Sequence, residues 1–418
     1  MNDNVYAIGL DTIINHYQTH CDESSPQCEE MIYDYLISNH GDNFKNSSKI
    51  CVYAFNEAFG GDDAHYLGIF SLIFPALRSI VQKYVNLDNN ILVLGNYTFD
   101  RAKNLQFVAD LEFITVEPFR LYTFFQNNYN LDYTHKPISK LKNNQKFLCK
   151  FGKVNMRWNS YVLLNFLRDL NLLNPERGEW SFVYEDSSEW YKIYNTMYKK
   201  IHGRFMPNTP KMTHKEFVSA FNMLDDFTFG KECNSEGQFF YTGFPFDVKH
   251  HEDTQFTIVR ETSVHNNFGL FPTEKTWIPI SVKHPILLFG QPSLAYYLEK
   301  SGYLAPDDFQ LSKKILTAKT YQQGLDLFKE SYDKMMTMSE SDMEMIADNN
   351  YKQFCKDVDK DIEILLSQGK FIDANTGMQS TALEIVLRNH FSNNMQRSGK
   401  PDNTNFDYDT INKLYPDK

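Results

Sequence analysis

The chain contains no Cys-x-x-Cys pair, no internal repeat, no low-complexity tract and no apolar run long enough to cross a bilayer. Each absence removes a class of function. The longest apolar stretch, 67–77, is interrupted by Ser71 and Pro75 and falls short of the ~20 residues a membrane helix needs. Six cysteines (Cys21, Cys28, Cys51, Cys149, Cys233 and Cys355) are scattered without a histidine-rich partner set, which argues against zinc. Cys51 and Cys149 fall in expected strands and read as buried thiols. Positive charge is also scarce: 42 Lys and Arg stand against 53 Asp and Glu, a net charge of −11 that suits a dedicated nucleic-acid binder poorly. The start Met1-Asn2-Asp3-Asn4 lacks the basic region of a secretory signal, so a cytoplasmic protein with no membrane partner is expected. No Asp-x-Asp stands at the end of an expected strand, so a metal-bridged diphosphate is not implied and no cofactor is expected. Asp357-Val358-Asp359 matches the letters, but between Lys356 and Lys360 on an expected helix it reads as a solvated, charge-paired face. His250-His251-Glu252-Asp253 reads as a solvated loop, because adjacent residues of an extended segment do not aim at one ion.

What remains is a globular composition, 42% hydrophobic and 23% charged over 418 residues, more than one core usually supports. Two α/β domains are expected. Strands over 50–55, 91–94 and 113–116 with a helix over 65–84 make a first Rossmann-like half, residues 1–140. A polar linker, 127–145, leads to a second half within 141–345, with strands over 147–151, 181–184, 256–259 and 286–289. Residues 346–418 complete the chain with a helix over 342–366 that crosses back toward the first half, then a polar tail from Gly369 with a helix near 381–391.

The segment 256–290 carries the most chemistry. Its short β-branched strand ends on Arg260-Glu261, where polar side chains of a parallel sheet face the ligand crevice. A loop with Asn266, Asn267 and Gly269 follows, and Thr273 stands as an N-cap with Glu274 and Lys275 in the first turn. Free N–H groups and the Lys275 charge favour a diphosphate there, while Glu274 or Glu261 suits ribose hydroxyls. Pro279 keeps the helix short, and His284-Pro285 ends it before the next strand. Upstream, Phe151-Gly152-Lys153-Val154-Asn155-Met156-Arg157 runs from a strand into a helix whose apolar face is Leu163, Leu164, Phe166, Leu167 and Leu170. Lys153 and Arg157 therefore belong to a strand's C-terminal edge, a position suited to a leaving diphosphate.

Arg260-Glu261-Thr262, Thr273-Glu274-Lys275 and Pro285-Ile286-Leu287-Leu288-Phe289-Gly290 together resemble the donor-site region of α-1,3-fucosyltransferases. Thr273-Glu274-Lys275-Thr276-Trp277-Ile278-Pro279-Ile280, with Leu298-Glu299-Lys300-Ser301-Gly302-Tyr303, is similar to standalone fucosyltransferase-like proteins of phages and large DNA viruses. Arg260 and Thr262 depart from the Phe and Asn of the family's triplet, and Met156 and Trp158 flank Arg157 where the family has a His. The resemblance implies a GT-B architecture, two Rossmann-like domains facing across a cleft. It also implies a UDP- or GDP-sugar as co-substrate, contacts from Glu274 and Lys275 to ribose and phosphates, and inversion at the sugar carbon. The base would be a carboxylate of the first domain: Glu57 first, Asp62 second, both in the glycine-containing turn after a strand, and Glu117 third.

Basic strips flank this cleft. One runs through Lys136, Lys140, Lys142, Lys146, Lys150, Lys153 and Arg157 without an acid, and the other holds Lys199, Lys200, Arg204, Lys211 and Lys215. They track a phosphodiester backbone or are a solvated linker and loop. The resemblance to phage enzymes implies, as acceptor, a glycan or protein hydroxyl or a hydroxymethylated DNA base. The alternative is a GT-B-like protein without turnover that recognises glycan or nucleic acid through its 25 Tyr and 34 Phe.

Overall fold

The computed structural model describes residues 4–20, 26–55, 64–88, 90–96, 111–128, 137–138, 141, 146–152, 158–182, 191–192, 194–196, 198, 206, 208–222, 248–261, 270 and 272–388. The chain is α/β, with two sheets.

The first lobe begins with β1 (Val5–Gly9), which runs straight into α1 (Leu10–His20), followed by α2 (Pro26–Lys45) and β2 (Lys49–Ala54). Next come α3 (Ala64–Lys83), β3 (Ile91–Gly95), β4 (Leu111–Thr115) and α4 (Pro118–Asn128). The strands from β1 to β4 pair in parallel in chain order. Their apolar residues are nearly continuous because both faces are covered, as parallel strands require. Tyr6, Ile8, Val52 and Val93 pack under α1 to α3, whereas Ala7, Cys51, Tyr53 and Leu94 face the other way.

The second lobe holds β5 (Phe147–Gly152), α5 (Trp158–Asp169), β6 (Gly178–Phe182), α6 (His214–Asn222) and α7 (Val248–Glu252). It continues with β7 (Phe256–Arg260), α8 (Glu274–Ser281), β8 (Ile286–Phe289), α9 (Pro292–Lys300), α10 (Gln310–Ile315) and α11 (Tyr321–Thr337). Its sheet is wholly parallel, in the order β6-β5-β7-β8. Phe147, Cys149 and Phe151 of β5 pack with α5, α10 and α11, while Val259, Ile286 and Leu288 pack with α8 and α9.

A 27-residue helix, α12 (Glu340–Leu366), then returns to the first lobe. Beyond it, β9 (Lys370–Asp373) pairs in parallel with β1, and β10 (Gln379–Thr381) pairs antiparallel with β9, completing a six-stranded sheet. The expected polar tail thus contains its expected helix, described over 382–388, and in addition two strands of the first lobe. One apolar cluster joins the lobes: Tyr53 and Leu94 of the first sheet share it with Trp277 and Ile280 of α8, Leu294 of α9 and Phe354 and Val358 of α12. At ~1.5–3 kcal/mol for each large side chain fully buried, this shared core holds the lobes together. No helix among the described residues is long and apolar enough to cross a membrane.

Two expectations about charge are corrected. Asp357 is only 15% exposed and faces inward to Arg120 rather than to solvent. His250 and His251 stand on α7: His250 pairs with Glu179 at 2.9 Å and His251 is buried, so this segment is a packed helical turn.

Candidate functional site

From β5 the chain moves one way across its sheet to β6, then returns to the opposite side of β5 to make β7. The strand order therefore reverses between β5 and β7, and the carboxyl ends of strands at such a point are the usual ligand position in an open parallel sheet. The motif 256–290 and the start of α5 are both brought to this point. Lys153 and Arg157, on the connection after β5, lie outside the described residues, as do Glu57 and Asp62.

Asn159, in the first turn of α5, is buried and donates from Nδ2 to the Glu261 carbonyl at 2.7 Å, tying the two connections together at their roots. Arg260, expected at the ligand edge, is fully buried and lines a small hollow beside Lys275. Its Nη2 donates to the Phe151 carbonyl at 2.6 Å, bonding the ends of β5 and β7 across the switch.

Glu261 is also buried. Its Oε1 accepts the Thr273 N–H at 3.0 Å and the Thr276 hydroxyl at 2.5 Å, and its Oε2 accepts the Thr273 hydroxyl at 2.8 Å. This carboxylate, expected at a ribose, clamps the start of α8 onto the end of β7. Thr273 is the N-cap in extended geometry, its hydroxyl accepting the Lys275 N–H, as its place before Glu274 predicted. Behind the clamp, a Cβ on Gly290 would lie 3.2 Å from the Glu261 Cβ, so a larger residue would press on it.

Glu274 and Lys275 are paired at 2.5 Å, with side chains 21% and 10% exposed. Lys275 lines a hollow with Lys150 of β5, His251, Thr257 and Pro279. Its volume, about 20 Å³, is that of a water molecule, too small for a nucleotide. Lys150, counted in sequence only as part of a basic strip, is a second cation at this place; its position at the carboxyl half of β5 was the available signal.

Glu117, just past β4, is buried and accepts the Phe119 N–H at 3.1 Å. Burial pushes its carboxyl well above the usual range; Arg120 opposes this, while Asp361 and Glu261 add to it. The ends of β4 and β7 therefore approach one another across the lobes. Beside Glu117, Arg120 Nη2 lies 2.6 Å and Nε 3.2 Å from Asp361 Oδ2, Nη1 lies 3.2 Å from Asp357 Oδ2, and the guanidinium stands 5.1 Å from the Trp277 ring centroid. Sequence inspection missed this cluster.

Among the described residues, no group of three or more His, Cys, Asp or Glu side chains could hold a metal ion. No protein-family model matches the chain, and no curated protein matches it.

Proposed function

We propose that this chain is a glycosyltransferase of GT-B type, similar to the fucosyltransferases its motifs resemble, that moves a sugar from a UDP- or GDP-sugar to an acceptor hydroxyl. One observation carries the proposal. The capped start of α8, with Glu274 and Lys275, lies at the carboxyl edge of β7 where the strand order reverses around β5.

In this mechanism the Lys275 ammonium at the start of α8 holds the diphosphate, and Glu274 releases Lys275 to face the ribose. Lys153 and Arg157 take charge from the other connection. As the sugar C1–O bond breaks, its electron pair leaves with the diphosphate; the acceptor oxygen bonds to C1 from the opposite face and gives its proton to a carboxylate of the first lobe. Glu57 is the first choice for that base and Asp62 the second. Glu117 is the least suited of the three, because it is buried and caps α4. Acceptors are a glycan or protein hydroxyl, or a hydroxymethylated base extruded into the crevice.

A thermal-shift screen with UDP, GDP and CDP tests the donor site: stabilisation by one nucleotide that vanishes in Lys275→Ala supports the transferase. Indifference to every nucleotide favours a binding protein without turnover. Mass spectrometry of glycans, peptides and hydroxymethylated DNA after incubation with the preferred donor then identifies the acceptor.

A further inference from the structure

We propose that Arg120 is a positioning residue through which the first lobe sets the pose of α8, and so the affinity of Lys275 for a diphosphate. The proposal rests on α8 being the donor helix.

Arg120 belongs to α4, which follows β4 of the first sheet, and its guanidinium meets three other elements at once. It stacks 5.1 Å from the ring of Trp277, two residues beyond Lys275 on a helix of only eight residues. Its nitrogens are gripped by Asp361 and Asp357 of α12 and reach the Tyr297 hydroxyl at 2.9 Å. Arg120 is 2% exposed and Trp277 0%. Asp357 is in turn held by the Tyr303 hydroxyl at 2.9 Å and by Gln353 Nε2 at 2.8 Å.

Burying an ion pair is costly, and a well-packed apolar group of the same volume often serves stability equally well. The geometry uses what an apolar group lacks: a planar, charged fork that binds carboxylates with its edge and an indole with its face. Trp277 points the same way. Its Nε1 is buried without a hydrogen-bond partner among the described residues, so its contribution here comes from the ring face. Helix α8 is therefore held at two points, by Glu261 of its own lobe at the N-terminus and by Arg120 of the other lobe on its inner face. A change in how the lobes sit moves α8, and by reciprocity a ligand that reorients α8 biases the lobes.

The test uses the full chain with inorganic pyrophosphate and with UDP or GDP as probes, read by calorimetry, and Trp277 emission read against a Trp277→Phe blank. Arg120→Lys keeps the charge and loses the stacked plane, and Arg120→Met removes both. Arg388→Lys, which alters the remote Asp373 pair, is the control. The expected result is pyrophosphate affinity about five- to tenfold weaker in Arg120→Lys, unchanged in the control, with a ligand-induced change in Trp277 emission present in the natural protein and absent in the variant. Nucleotide binding that depends on Lys275 but is the same in Arg120→Lys would overturn the coupling and leave the donor site standing. Absence of any nucleotide or pyrophosphate binding by the natural protein would overturn both.

Discussion

Glu261 and Thr273, twelve residues apart, are joined twice: the backbone N–H and the side-chain hydroxyl of Thr273 both donate to the Glu261 carboxylate, at 3.0 and 2.8 Å. The intervening connection is thus closed at its base by one buried carboxylate, and the start of α8 is set by β7 rather than by its own short length. Eight residues are too few for a helix to be stable alone.

Glu261→Gln should therefore act on position more than on chemistry. The amide retains one acceptor oxygen and turns a donor toward the Thr hydroxyls, leaving part of the network unsatisfied at a cost of ~1–3 kcal/mol. Urea denaturation should show that loss. Nucleotide affinity should fall with it, whereas Thr273→Ser, which keeps the hydroxyl, should preserve both.

The joint between lobes should give an inverted pH response. Glu117 and Asp361 have proton affinities raised by burial, with Arg120 opposing and the neighbouring carboxylates, including Glu261 and Asp357, reinforcing. The folded chain thus holds these protons more tightly than the unfolded chain. Their contribution to stability is present at low pH and is lost as pH rises from the ordinary carboxylate range through the raised folded values. Glu117→Gln should remove its share of that loss, so the gain in melting temperature over the natural protein should grow as pH rises above the ordinary carboxylate range. A difference that shrank with rising pH would contradict the assignment.

His284 should titrate in the opposite sense. It is fully buried between β7 and β8, its Nδ1 facing the Thr257 hydroxyl at 2.7 Å and its Nε2 the Thr254 carbonyl at 3.0 Å, an arrangement that the neutral Nε2–H tautomer satisfies. Burial lowers its pKa from 6.5 to about 4. The unfolded chain therefore takes up the proton first, and stability present above pH 6.5 is lost as pH falls toward 4. At about 1.4 kcal/mol per tenfold change in proton affinity, the full effect is on the order of 3 kcal/mol. Denaturation of His284→Asn as a function of pH should show a flatter acid limb than the natural protein.

Three strands of the second lobe were readable because each is a short, almost unbroken apolar run ending at a turn signal, and 286–289 was placed to the residue; β6, expected over 181–184, lies at Gly178–Phe182, where Gly-Glu-Trp-Ser-Phe makes no apolar run. Other elements were not readable, for definite reasons. β1, Val5-Tyr6-Ala7-Ile8-Gly9, is apolar but runs straight into α1 at Leu10 with no turn signal to mark it off, and β9 is bounded by Lys370 and Asp373 and presents no apolar run. Their pairing joins residues more than 360 apart, and no local pattern announces it. Asp357 was misread because flanking lysines suggest a solvated face. Asp361, between Val358, Ile362 and Leu365 on the buried stripe of α12, was the better clue: a charge on an apolar face implies a buried partner. That partner, Arg120, lies 241 residues away. The capped start of α8 was readable since Thr273, Glu274 and Lys275 obey local rules, but the role of Glu261 as its clamp depends on a fold-back that only the three-dimensional arrangement supplies.

Gly290 offers a test of the clamp from behind. An added methyl would meet Glu261 Cβ at 3.2 Å, Glu261 Cγ at 3.3 Å and Leu288 Cδ1 at 3.3 Å, tighter than ordinary contact. Gly290→Ala should therefore displace the carboxylate toward Thr273 and cost ~1–3 kcal/mol as overpacking. Since the damage passes through Glu261, combining it with Glu261→Gln should cost less than the sum of the two single changes, a coupling of ~0.5 kcal/mol or more in a double-mutant cycle by urea denaturation. Strict additivity would mean that Gly290 is needed for its own strand end and not for the clamp.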